Sequence, residues 1–163
     1  MPRFSDPKKR DPYRNFNFRI WIGGKEVAAC HKMSKLSASV EVVKFRAGSD
    51  AASVSELLPG RTAYDPVTLE GGVTNDATFQ TWATTLVRHR WDAKGREKEP
   101  NFRQDVDIRV YDVDNKTVVK FYTLHNAWVS KYTALSDLAG DANEVIIETL
   151  EIQHEGFESK TPI

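Results

Sequence analysis

Lys35-Leu36-Ser37-Ala38-Ser39-Val40-Glu41-Val42 is the stretch that decides the fold. Successive side chains of an extended chain point to opposite faces. Leu36, Ala38, Val40 and Val42 therefore share one face, and Lys35, Ser37, Ser39 and Glu41 share the other. One face is apolar and the other is small and polar, which predicts a half-buried strand.

The same period of two recurs on either side. Upstream, Phe16, Phe18, Ile20 and Ile22 alternate with Asn15, Asn17, Arg19 and Trp21. Gly23-Gly24 then make a tight turn, and Lys25 to Met33 is the expected return strand. Downstream, Arg46 to Arg61 breaks the pattern and reads as a long loop, where about 2–5 residues usually suffice. Val67 and Leu69 resume it. Val106, Ile108 and Val110 form another strand, Asp114-Asn115 mark a turn, and Val118 to Tyr132 reads as one long strand. Ala134 to Ala142 is a loop, and Val145 to Gln153 is the last strand, mixed on both faces. One helix interrupts the series. Phe79, Trp82, Ala83 and Leu86 fall at i, i+3, i+4 and i+7, with Thr74, Asn75 or Asp76 to cap the start. Trp91 to Arg103 follows as a charged loop.

The sum is mainly β: about seven strands with one outer α-helix and a long inter-strand loop, the pattern of a β-barrel or sandwich. Met1 to Arg14 is proline-punctuated and reads as an arm, which leaves residues 15–163 as a single domain. A chain of 163 residues suits one core.

Composition excludes several classes. Lys+Arg and Asp+Glu both number 23, so the basic excess of a nucleic-acid wrapper is absent. The lone Cys30 rules out an intramolecular disulfide and points to cytosolic folding. No apolar run approaches a membrane span, and no secretory signal is visible. His31, His89, His125 and His154 share no zinc spacing with one another or with Cys30. Asp112-Val113-Asp114-Asn115 fails as a calcium loop, because Thr117 and Thr123 stand where Gly and Glu are required. Glu148, Glu151 and Glu155 could be imagined as a catalytic set, but on a strand Glu148 faces away from the other two. An acidic edge or interface is the better reading. Trp82 belongs to the core by helical period. No constellation supports an enzyme, and no cofactor is implied.

Charge is nonetheless segregated. Met1 to Arg14 holds Arg3, Lys8, Lys9, Arg10 and Arg14 against Asp6 and Asp11. Arg88 to Arg103 is a second basic block. Ser136 to Glu158 carries seven acids, Glu144, Glu148, Glu151 and Glu155 among them, and no Lys or Arg. A neutral chain with separated blocks can bind copies of itself head to tail, and such contacts close rings or extend filaments.

Several stretches, in order across residues 11–157, carry a family resemblance. Asp11-Pro12-Tyr13-Arg14-Asn15-Phe16-Asn17-Phe18-Arg19-Ile20 resembles the opening strand of the tail tube proteins of contractile-tailed phages and related contractile injection systems, the T4-like tail tube family. Val40-Glu41-Val42-Val43-Lys44-Phe45-Arg46-Ala47-Gly48 is similar to the strand entering that family's long loop. Pro59-Gly60-Arg61-Thr62 and Pro66-Val67-Thr68-Leu69-Glu70 are similar to the return from it. Asn126-Ala127-Trp128 and Asn143-Glu144-Val145 through His154-Glu155-Gly156-Phe157 resemble the closing strands. Ala63 and Gly71 depart from the pattern, each standing where a basic residue is common.

The resemblance implies a β-barrel subunit assembled as hexameric rings that stack into a hollow tube. The implied partners are further copies of the chain, a contractile sheath protein, baseplate or hub and tube-terminator proteins, and DNA or effector cargo in the lumen. Stable membrane insertion is not implied. Assembly would take place in the cytoplasm of the producing bacterium, and the mature location would be a phage tail or injection particle. On this reading Lys35, Ser37, Ser39, Glu41, Thr68 and Glu70 line the lumen, and Leu36, Ala38, Val40 and Val42 pack under the helix. Arg46, Asp50, Ser53, Glu56, Leu57, Leu58 and Arg61 belong to a ring-stacking loop. Lys8, Lys9 and Arg10 meet Glu144, Glu148, Glu151 and Glu155 across subunits. Two alternatives remain: a type VI-like ring protein carrying effectors, and a monomeric β-sandwich that binds a ligand through surface Trp.

Overall fold

The computed structural model describes residues 17–27, 30–46, 48, 55–72, 77–91, 102–141 and 144–160. The arm Met1–Arg14 and the capping candidates Thr74, Asn75 and Asp76 lie outside them. The described residues form ten strands and one helix: β1 (Phe18–Ile22), β2 (Lys25–Val27), β3 (Cys30–Met33), β4 (Ala38–Phe45), β5 (Glu56–Tyr64), β6 (Val67–Gly72), α1 (Thr78–Trp91), β7 (Gln104–Tyr111), β8 (Val118–Thr133), β9 (Ile147–Gln153) and β10 (Phe157–Lys160).

Three local events raise the strand count above the expected seven. The single return strand over Lys25–Met33 is two strands. β2 pairs with β1 across Gly23 and Gly24, both at positive φ, whereas β3 leaves to pair with β6. The expected long loop contains β5. A tenth strand follows Gly156, whose φ of 150° suits glycine alone.

Eight strands form one sheet in the order β2-β1-β7-β8-β9-β6-β3, with β10 also on β8, and every pairing is antiparallel. The path ends at β2 and β3, so the barrel is not closed among the described residues. β8 is the shared spine. Its first half pairs with β7 and β10, and its second half pairs with β9.

The sheet turns a corner at Asn126, which sits at φ 50° inside β8. The Asn126 N–H donates to Asp105 Oδ1 (3.1 Å), and its side-chain amide donates to Glu155 Oε2 (2.8 Å). Arg103 joins Glu155 at 3.3 Å. Across the corner the buried phase moves from Leu124 to Ala127, a slip of one residue.

The two halves enclose one core of Ile20, Ile22, Val27, Val67, Leu69, Val106, Ile108, Leu124, Ala127, Leu150 and Ile152. Helix α1 closes it with Phe79, Trp82 and Ala83, as its apolar stripe requires. The Trp82 indole N–H donates to the Phe102 carbonyl (2.9 Å), so the ring is buried without an orphaned donor. β9 alternates strictly, with Glu148, Leu150 and Ile152 inward.

Candidate functional site

Among the described residues β4 and β5 pair only with each other and stand apart from the eight-stranded sheet. Every residue of both strands is exposed. Val42 is 61% exposed, Phe45 52% and Leu57 63%; Val40, Val43, Leu58 and Tyr64 also show large apolar surface. This corrects the expectation that Ala38, Val40 and Val42 pack under the helix. Of that face, Leu36 alone packs against the core.

The local sequence explains the geometry. The register slips between Val40 and Val42, and Gly60 lies opposite the slip. A Cβ at Gly60 would meet the Glu41 carbonyl oxygen at 3.0 Å and Val43 Cγ2 at 3.0 Å, so the close approach needs glycine. Pro59, opposite Val42, brings no N–H to the ladder. Pro59-Gly60 thus marks a bulged strand rather than the end of a loop. Glu56, Leu57, Leu58 and Arg61 stand on β5, not in a loop, while Arg46 follows β4 and is exposed. Asp50 and Ser53 lie outside the described residues.

The hairpin is anchored at its base. The Asp65 N–H donates to the Ser37 carbonyl (3.2 Å), and the Ser37 hydroxyl donates to the Asp65 carboxylate. His154 Nε2 bonds the Asp65 carbonyl (3.1 Å). Tyr64 packs against His154 and Phe157, with ring centroids 5.5 and 5.9 Å away. Sequence reasoning missed this anchor, because its contacting pairs lie up to 93 positions apart and share no spacing.

The six lumen candidates do not share one strand face. Ser39 and Glu41 project from β4, whereas Lys35 and Ser37 precede it. Thr68 and Glu70 lie on the face of β6 opposite Val67 and Leu69, and Glu70 is paired with Lys32 (3.1 Å). Among the acidic candidates, Glu148 is buried and accepts the Tyr132 hydroxyl (3.1 Å). Burial, then the bond to Glu148 and its charge, hold the Tyr132 phenol above its usual range. The structure does not present Glu148 for an inter-subunit contact. Glu151 accepts from the Ser130 hydroxyl (3.0 Å), and Glu155 is held by Arg103 and Asn126. Glu144 is exposed. Lys8, Lys9 and Arg10 lie outside the described residues.

Cys30 packs against the core while the adjacent His31 is exposed, as opposite strand faces require. Burial, reinforced by the Glu70 carboxylate, pushes the thiol up to about 12, so it is a poor nucleophile. Among the described residues no group of three or more His, Cys, Asp or Glu is placed to hold a metal, and no helix is long and apolar enough to cross a membrane.

The β-sheet body, outer helix and extended hairpin together have the fold of chains in solved contractile-injection-system structures. A chain in the anti-feeding prophage (AFP) baseplate structure, 6-fold symmetrised, superposes with a TM-score of 0.72 at 21% identity, covering 93% of this chain and 97% of the other. A chain in the structure of the AFP tube-terminating cap gives 0.73 at 16% identity, with 96% of each chain covered. One in the extended sheath-tube complex of the PVC extracellular contractile injection system gives 0.71 at 14%, with 91% of each covered. Residues 14–158 match the model of the T4-like virus tail tube protein gp19 family, and the chain belongs to that family. No curated protein sequence matches it. The protein is therefore a tail tube protein of the T4-like kind.

Proposed function

We propose that the chain forms hexameric rings which stack into the hollow inner tube of a contractile particle. One observation carries the reading: the β4–β5 hairpin is exposed throughout and carries seven large apolar side chains. A lone two-stranded hairpin is marginal in water. Its free strand edges are an aggregation hazard unless another chain pairs with them. In a ring, hairpins of neighbouring subunits pair edge to edge and close one large barrel. Burying the remaining surface of each large apolar side chain contributes about 1 kcal/mol before ordering costs. Seven such residues per subunit make the closed ring strongly favoured.

Ser39 and Glu41 then face the lumen, with Thr68 and Glu70 continuing the polar wall. The connection after β4, with Arg46, Asp50 and Ser53, reaches the next ring. Sheath, baseplate and terminator proteins are the partners, and DNA or effector proteins are the cargo. The 6-fold symmetry and the sheath-tube complex named for the similar structures support this arrangement.

Negative-stain electron microscopy of the purified protein, with light scattering across concentration, tests it. Six-fold rings or stacked hollow tubes are expected. A strict monomer that stays so when baseplate and sheath partners are added overturns the proposal.

A further inference from the structure

The connection between β8 and β9 carries apolar surface that no described residue covers. Leu135, Leu138, Val145 and Ile146 are 54%, 66%, 74% and 39% exposed. The Ser136 hydroxyl accepts the Ile147 N–H (3.2 Å) and ties the two legs of the strap together. Between the legs lies a concavity of about 250 Å³, lined by Ser136, Leu138, Gly140, Glu144, Val145 and Ile146. Exposed Asp137 and Glu144 belong to its lining, exposed Asp141 follows Gly140 in the strap, and none of the three makes an ion pair with a described residue.

We propose that this strap receives the N-terminal arm, residues 1–16, of a second copy of the chain. An apolar floor with an acidic rim fits a basic segment bearing large apolar side chains. The arm is such a segment: Arg3, Lys8, Lys9, Arg10 and Arg14 are interleaved with Phe4, Tyr13 and Phe16. The other basic block, Arg88–Arg103, is tied at both ends to α1 and β7. The inference rests on the self-assembly reading above and gives it a polarity.

The position of the arm's exit favours an intermolecular contact for the basic cluster Lys8–Arg10. The Tyr111 N–H donates to the Asn17 carbonyl (2.8 Å), and the Asn17 side chain donates to the Asp112 carbonyl (3.1 Å). The arm therefore leaves beside the turn that begins β8, while the strap follows the end of β8. β8 has 16 residues. At about 3.3 Å per residue it runs roughly 50 Å, less what the corner at Asn126 removes. Lys8–Arg10 sit at most nine residues before Asn17 and reach about 30 Å when fully extended. They fall short of their own strap along the strand, whereas a copy stacked head to tail brings its strap to the arm's exit. Arm and strap then form a heterologous contact that repeats along a filament.

Full-length protein with a photoreactive phenylalanine analogue at Phe4 tests this. Isotopically light and heavy chains are mixed, irradiated, and the cross-linked peptides mapped by mass spectrometry. Light–heavy cross-links onto Leu135–Asp141 or Glu144–Ile146 are expected. The triple variant Asp137→Lys/Asp141→Lys/Glu144→Lys should lower their yield about tenfold, as loss of several exposed ion pairs implies. Adding Lys8→Glu, Lys9→Glu and Arg10→Glu should restore it. Cross-links within one chain, links mapping elsewhere, or a yield indifferent to charge reversal overturn the proposal. Tubes without these cross-links sink the arm contact alone. Cross-links without tubes sink the tube and leave the contact standing.

Discussion

The eight-stranded sheet and the β4–β5 hairpin are built from the same material and end in opposite states. Both are antiparallel, and both alternate apolar and polar residues. In the sheet, Leu150, Ile152 and Leu124 are 0% exposed. In the hairpin, Val42 and Leu57 keep more than 60% of their surface in water. Alternation dictates that a face will be buried, but not within which molecule. The sheet satisfies its pattern inside one chain because its two halves face each other and α1 covers them. Among the described residues the hairpin has no such cover, and the proposed ring supplies it from another chain.

The largest effect follows directly. Leu150→Ala should cost the subunit about 2–5 kcal/mol, the range for a core truncation that leaves a cavity. Val42→Ser, on an equally strand-like position, should change subunit stability by no more than about 0.5 kcal/mol. Denaturant unfolding of the dispersed subunit measures both. Assembly should reverse the ranking: Val42→Ser tubes shorten or vanish at concentrations where the wild type assembles. If Val42→Ser destabilised the lone subunit as much as Leu150→Ala, the contrast between the two regions would be broken.

How legible each region was depends on whether one period runs through it. Helix α1 was legible because Phe79, Trp82 and Ala83 obey a single period and all are buried. β9 was read as mixed because Glu148 occupies an inward position, and its partner Tyr132 lies 16 residues away on another strand. β8 was read at nearly its true length. Its faces were not, because the phase slips at Asn126 and again between Val129 and Lys131. β5 was hidden by Pro59-Gly60, a turn signal that here accommodates a bulge opposite Glu41. The hairpin's polar residues were visible, but their isolation from the core was not. Whether a face finds cover is a tertiary fact, and on the proposed reading the cover is another subunit.

A second, smaller effect sharpens the comparison at the helix. Trp82→Phe keeps the buried ring but strands the Phe102 carbonyl, at a cost of about 1 kcal/mol. Because α1 covers the sheet and not the hairpin, the loss should appear in the melting temperature of the dispersed subunit. The concentration at which tubes first form should scarcely move. A shift confined to assembly would mean that Trp82 serves an interface rather than the core.

The smallest effect concerns the other hairpin, β7–β8, which carries its own closure. Asp114 accepts from the backbone N–H groups of Lys116 and Thr117 (both 2.9 Å) and from the Thr117 hydroxyl (2.6 Å), while Asn115 takes φ 56°. The Thr117 hydroxyl first, then the two backbone bonds, hold the Asp114 carboxyl below its usual value. A folded-state value lower than the unfolded one stabilises the fold above the unfolded value, about 3.9, and the contribution is lost as pH falls through the folded value. Asp114→Ala should therefore melt slightly below wild type at neutral pH, with the gap closing as pH drops below about 4. Thermal melts across pH, paired with an NMR titration of the carboxyl, measure it. Tube formation at neutral pH should be untouched, since this turn is completed within the chain and the β4–β5 hairpin is not. A gap that persisted unchanged to strongly acid pH would show that the turn is held by shape alone. The distinction between a hairpin that closes itself and one that waits for a neighbour would then need another origin.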